Sequence, residues 1–132
     1  MTLQRGGQMP HVAVRGIDGT TFSYRDIWQR RNLLLVSLPA ETKDGDEREE
    51  AAYLDAIQAR GEAIREYETD VVITRDAVPG LTAPAVLIAD RWGEIIAVDC
   101  ANRAAGLLPA AEILEWLRFV AHACPECEGE AK

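Results

Sequence analysis

The sequence predicts a single α/β domain, a three-layer sandwich with a central mixed β-sheet flanked by helices and an N-terminal β-hairpin. Three observations carry this. Residues 33–38 read Leu-Leu-Leu-Val-Ser-Leu, apolar on both faces, as in a strand covered on both sides. Tyr53, Leu54, Ile57, Gly61, Ile64 and Tyr67 fall on one helical stripe. The order of elements mixes a parallel crossover with antiparallel hairpins, which suits a sheet with helices packed on it.

Along the chain, Val12 and Val14 alternate with smaller or polar neighbours within residues 9–15, and Gly16-Ile17-Asp18-Gly19 then turns the chain into Thr20-Thr21-Phe22. This is a strand, a glycine turn and a second short strand. Ser23 stands three residues before Asp26, a capping-box spacing, so a short helix is expected over residues 24–30. Residues 33–38 form the central strand. The apolar pattern stops over residues 39–46 and resumes in the long helix, whose first turn holds Asp46, Glu47, Glu49 and Glu50. Carboxylates there interact favourably with the helix dipole. Residues 70–74 are a strand, and residues 85–89 and 94–99 are a strand pair turned at Asp90-Arg91-Trp92-Gly93. Pro109 opens the last helix, with Ile113, Trp116, Leu117 and Val120 on its buried face, and Pro125 ends it. The domain spans residues 1–123, and residues 124–132 form a polar tail carrying a C-x-x-C motif.

Composition narrows the function. A chain of 132 residues with 48% apolar content buries one core without staples. The net charge of −8, with no basic face, argues against nucleic acid. The longest apolar run is far short of the roughly 20 residues of a membrane span, and the start Met1-Thr2-Leu3-Gln4-Arg5 has no apolar signal core. Cys100, Cys124 and Cys127 are an odd count, too few for a disulfide framework, and fit a cytoplasmic, reducing location. No phosphate loop, nucleophile elbow or cofactor motif is present, so no cofactor is expected.

Gly7-Gln8-Met9-Pro10, with Gly16-Ile17-Asp18-Gly19 and Phe22-Ser23, resembles the start of the redoxin branch of the thioredoxin superfamily, which holds the peroxiredoxins and the TlpA-like thiol reductases. Pro79-Gly80-Leu81-Thr82-Ala83-Pro84, continued by Ala85-Val86-Leu87-Ile88-Ala89-Asp90 and Gly93-Glu94-Ile95, is similar to that family's proline segment and the hairpin after it. The resemblance implies that Pro84 follows a cis bond and faces the active site, and that Thr82, Ala83 and Pro84 meet an extended thiol partner. It places Pro39 and Thr42 where peroxiredoxins keep the proline and threonine before the reactive cysteine.

The departures from that family decide the functional reading. Thiol chemistry needs a thiolate at a helix N-terminus and, for exchange, a second cysteine to resolve the mixed disulfide. The segment Leu38-Pro39-Ala40-Glu41-Thr42-Lys43-Asp44-Gly45-Asp46-Glu47 holds no thiol, its proline-to-threonine spacing is one residue short, and Gly45 stands near the cysteine's place. The arginine that resemblance implies near the proline segment is missing too. The acidic cluster from Asp44 to Glu50 fails the calcium-loop spacing and reads as a solvated helix start.

Remaining thiol chemistry sits in Cys124-Pro125-Glu126-Cys127, which could close a disulfide, cycle as a redox pair or supply half of a zinc site, completed by Cys100 and His122 or by a second subunit. Cys100 reads as a small core residue, and Arg25, Arg30 and Arg31 around Trp28 as a solvated cationic corner. Three functions follow: a non-catalytic, partner-binding redoxin-like protein whose partner is a protein thiol or redox protein; a thiol-disulfide oxidoreductase or antioxidant protein using Cys124 and Cys127; or a homodimer clipped by zinc through the tail.

Overall fold

The structure, a computed structural model, describes residues 2–122. The hairpin pairs β1 (Ala13–Arg15) with β2 (Thr21–Ser23), and Gly19 at its turn has φ +90°, a left-handed conformation that glycine adopts without strain. The first strand is shorter than the expected residues 9–15, because Met9 N–H donates to Gly93 C=O and ties that stretch to a later turn. The helix expected over residues 24–30 is a single 3-10 turn, Tyr24–Asp26. Ser23 makes no side-chain cap, and Gln29 takes φ +70° with its N–H on Arg91 C=O, which stops further winding.

β3 (Asn32–Ser37) is buried at every position. It runs parallel to β4 (Thr69–Thr74) and antiparallel to β5 (Ala85–Ala89), which pairs in turn with β6 (Ile95–Cys100), giving the order β4-β3-β5-β6. Between β3 and β4 the expected long helix is two, α1 (Glu47–Ala59) and α2 (Gly61–Glu66). The break falls at Arg60, beside Gly61, where a glycine costs a helix about 1 kcal/mol relative to alanine. A second 3-10 turn, Ala104–Gly106, leads into α3 (Ala110–His122).

Strand alternation divides the interior into two cores. Leu34, Val36, Val86 and Ile88 pack with Tyr53, Ile57, Ile64, Ile113 and Leu117 of the three helices. Leu33, Leu35, Leu87 and Ala89 pack instead with Leu3, Met9, Val14, Tyr24 and Ile27 of the N-terminal segment. Each fully buried leucine contributes about 1.5–3 kcal/mol. Among the described residues no helix is long and apolar enough to cross a membrane.

Candidate functional site

The registers Ser37↔Thr74, Ser37↔Ala85 and Ala85↔Cys100 bring the ends of β3, β4 and β6 and the start of β5 to one end of the sheet. The loop of residues 39–46 leaves β3 there and α1 begins there. Leu38 N–H donates to Thr74 C=O at 2.8 Å and holds the residue before the loop to β4. Across from the loop, the Ala83–Pro84 peptide bond is cis. Pro84 C=O accepts from Ala101 N–H at 3.2 Å, whereas Ala83 N–H and C=O have no backbone partner among the described residues. Thr82 is exposed, Ala83 half-buried and Pro84 buried.

A cavity of about 140 Å³ separates the two segments, with Pro39, Thr42, Lys43 and Glu50 on one side and Ala83, Pro84 and Arg103 on the other. The sequence-predicted residues Pro39, Thr42, Ala83 and Pro84 therefore share one site, with Thr82 beside it. Thr42 Oγ1 donates to Glu50 Oε2 at 2.9 Å. Behind them Arg75, just past β4, donates to Pro39 C=O at 3.0 Å and Thr42 Oγ1 at 3.2 Å, and forms an ion pair with Glu50. No arginine stands in the proline segment itself; one reaches this wall from β4 instead.

Gly45 has φ +91° and its N–H donates to Glu47 Oε2 at 3.0 Å. Gly45, just before α1, is thus in a left-handed conformation that a side chain other than glycine's occupies only with strain.

The acidic cluster is not simply the solvated helix start expected from the sequence. Glu50 is buried with Arg75, while Glu49 accepts two hydrogen bonds from Arg103 at 2.6 and 2.9 Å and Asp46 lies 3.8 Å from the same guanidinium. Glu50 precedes Tyr53 and Ile57 on the helical stripe, so its burial was legible as one more turn of that stripe. Arg75 had no such signal: a lone arginine after a strand belongs to no motif. One turn along α1, Tyr53 Oη donates to Leu108 C=O at 2.6 Å, and burial first, then the charge of Asp99, raises its pKa above the ordinary tyrosine value.

Cys100 is exposed, not a core residue. Its register with Ala85, and that of Val98 with Leu87, put it on the sheet face opposite α1, and it does not line the cavity. It ends β6, where the strand has already run out of covering structure. Cys124 and Cys127 lie outside the described residues. Among the described residues no group of three or more histidine, cysteine or acidic side chains is placed to hold a metal ion.

No protein-family model matches the sequence, and comparison with the curated proteins finds no match. Solved structures do match. A reduced 2-Cys peroxiredoxin of Plasmodium vivax is 12% identical with a TM-score of 0.71, over 91% of this chain and 83% of that one. AhpC of Mycobacterium tuberculosis is 12% identical with a TM-score of 0.65, over 96% and 98%. A thiol:disulfide interchange protein of Chlorobium tepidum is 8% identical with a TM-score of 0.62, over 91% and 99%. At these identities the likeness is one of fold, and the fold is thioredoxin-like.

Proposed function

We propose that this chain is a redoxin-like protein that binds a protein partner, a thiol or redox protein, at the cleft between residues 39–46 and Thr82-Ala83-Pro84, and runs no thiol chemistry there. One observation carries the reading: the cleft is walled by Thr42, Glu50, Ala83 and Pro84, no cysteine lines it among the described residues, and Gly45 stands in a left-handed turn just before α1. Among the described residues, neither peroxide reduction nor disulfide exchange has an attacking thiolate at this site. What persists is the means of binding. Ala83 offers a main-chain donor and acceptor without a partner among the described residues, the groups by which an extended chain docks through its backbone.

The test has two arms. Peroxide consumption with a dithiol reductant, and reduction of a disulfide protein substrate, are expected to stay at background. Binding is expected to fail in Ala83→Trp, which blocks the rim, and to survive a change on the opposite sheet face such as Cys100→Ser. Catalysis that disappears in Cys124→Ala/Cys127→Ala would replace this reading with a thiol-disulfide enzyme acting through its tail.

A further inference from the structure

β4 is an edge strand, and its hydrogen bonds fix which of its main-chain groups face outward. Asn32 N–H donates to Glu68 C=O and Leu38 N–H to Thr74 C=O, so even-numbered residues along β4 turn toward β3. Alternation turns Val71 and Ile73 away from the sheet. Ile17 N–H takes the carbonyl of Ile73 at 2.8 Å, but Val71 N–H, Val71 C=O and Ile73 N–H have no partner among the described residues.

A groove of about 570 Å³ runs along this edge. One wall is the hairpin, with Ile17 and Phe22; the other is helical, with Gln58 and Arg65. Ile17 is 52% exposed and presents its apolar side chain to the groove. Arg31 in the groove is neutralised by Asp70 at 2.5 Å; Arg65 on the helical wall makes no ion pair among the described residues, nor does Asp18 on the hairpin wall, which accepts from Thr20 N–H at 2.9 Å.

We propose that this groove takes one extended peptide strand of a partner protein, docked by its main chain on Val71 and Ile73, with apolar side chains toward Ile17 and Phe22 and carboxylates toward Arg65. Side chains of a strand alternate between faces, so an alternating apolar and acidic peptide presents one kind to each wall. The edge from residue 69 to 73 is about 13 Å long at roughly 3.3 Å per residue, room for four to five peptide residues. Paired strands lie about 4.8 Å apart, so a second copy pairing edge to edge would bring its own hairpin and helices against these walls, which a bare strand does not. The chain's net charge of −8 opposes an acidic ligand at long range, but salt screens it beyond about 8 Å; at contact Arg65 acts on the helical wall, with Asp18 on the hairpin wall where the peptide's apolar side chains lie.

The probe is a blocked alternating pentapeptide, acetyl-Val-Glu-Val-Glu-Val-amide, titrated into the full chain while amide shifts and amide exchange are followed. Exchange at Val71 and Ile73 is expected to slow at least tenfold at saturation. The lysine counterpart should bind at least fivefold more weakly, and Arg65→Glu should reverse that preference. Val71→Pro should abolish binding, because the lost N–H faces out of the sheet; if that variant does not fold, the Arg65→Glu reversal decides alone. The proposal is overturned if Val71 and Ile73 are unaffected at saturating peptide, if the shifts map to residues 39–46 and 82–84, or if these amides are already protected in a dimer of the free chain.

Discussion

The guanidinium of Arg75 closes on the carboxylate of Glu50, and the Thr42 hydroxyl donates to that carboxylate as well, so β4, α1 and the loop after β3 are locked at one point. The Glu50 side chain is 10% exposed and that of Arg75 36%. Arg75→Met would leave the carboxylate buried and without its counter-charge. A fully buried pair broken this way loses about 3–5 kcal/mol; the solvent reaching Arg75 brings the expected loss to about 1–3 kcal/mol. Adding Glu50→Leu should recover most of it, since two apolar groups leave no stranded charge. Urea unfolding of both single variants and the double variant checks this: additive losses would mean that the pair is not coupled.

Gly45→Cys puts a thiol just before α1, yet it is expected to confer no peroxidase activity. An added Cβ at Gly45 meets open space, so the cost is in the backbone: φ +91° disfavours an L-residue by about 1–2 kcal/mol. The Glu47 carboxylate, 3.0 Å from Gly45 N, would also disfavour a thiolate. Thermal unfolding should show the loss of stability, and peroxide consumption should stay at background. An active variant would mean that the loop relaxes into a working geometry and that only the sulfur is missing from the natural chain.

Most of the sheet was legible because its signals are local. The run of residues 33–38, apolar but for Ser37, fits a strand covered on both sides, and β3 is buried throughout. Pro39, Thr42, Ala83 and Pro84 were also found together, since the order of motifs along the chain carried a topology that places them at one end of the sheet. The failures are where tertiary contacts override local preference. Ser23 had a capping spacing, but Gln29 is drawn to Arg91 across the fold and the helix stops at one turn. The continuous stripe through Gly61 hid a break at Arg60, because buried spacing persists across a kink while the backbone does not. Arg75 could not be placed at all: its partners Pro39, Thr42 and Glu50 are 36, 33 and 25 residues away.

Leu34 and Leu35 are adjacent in sequence and belong to different cores, Leu34 to the helical one and Leu35 to the N-terminal one. Each truncation to alanine is expected to cost about 2–5 kcal/mol. Because their side chains leave β3 on opposite faces and share no cavity, the double variant should lose the sum to within about 0.5 kcal/mol. Equilibrium unfolding of the two singles and the double reads this directly, and a strong departure from additivity would show that the two cores relax together.

The two buried tyrosines should respond oppositely to loss of the hydroxyl. Tyr24 Oη is buried with no hydrogen-bond partner among the described residues, so Tyr24→Phe is expected to leave stability unchanged or raise it by up to about 1 kcal/mol. Tyr53→Phe removes the 2.6 Å hydrogen bond to Leu108 C=O and should cost about 1–2 kcal/mol. Alkaline pH separates them further. Burial, and secondarily the charge of Asp90, push the Tyr24 pKa from 10.0 up to about 12. In the unfolded chain the same phenol ionises near its ordinary value. Between the two pH values the unfolded state binds fewer protons than the native state, so stability falls as pH rises, having been fully present below about pH 10. Tyr53 acts with the same sign, its pKa also being raised. Urea midpoints measured from about pH 9 to pH 11.5 should therefore decline in the parent protein and decline less steeply in Tyr24→Phe. Equal slopes for the two proteins would mean that the Tyr24 phenol ionises in the native state as readily as in the unfolded chain.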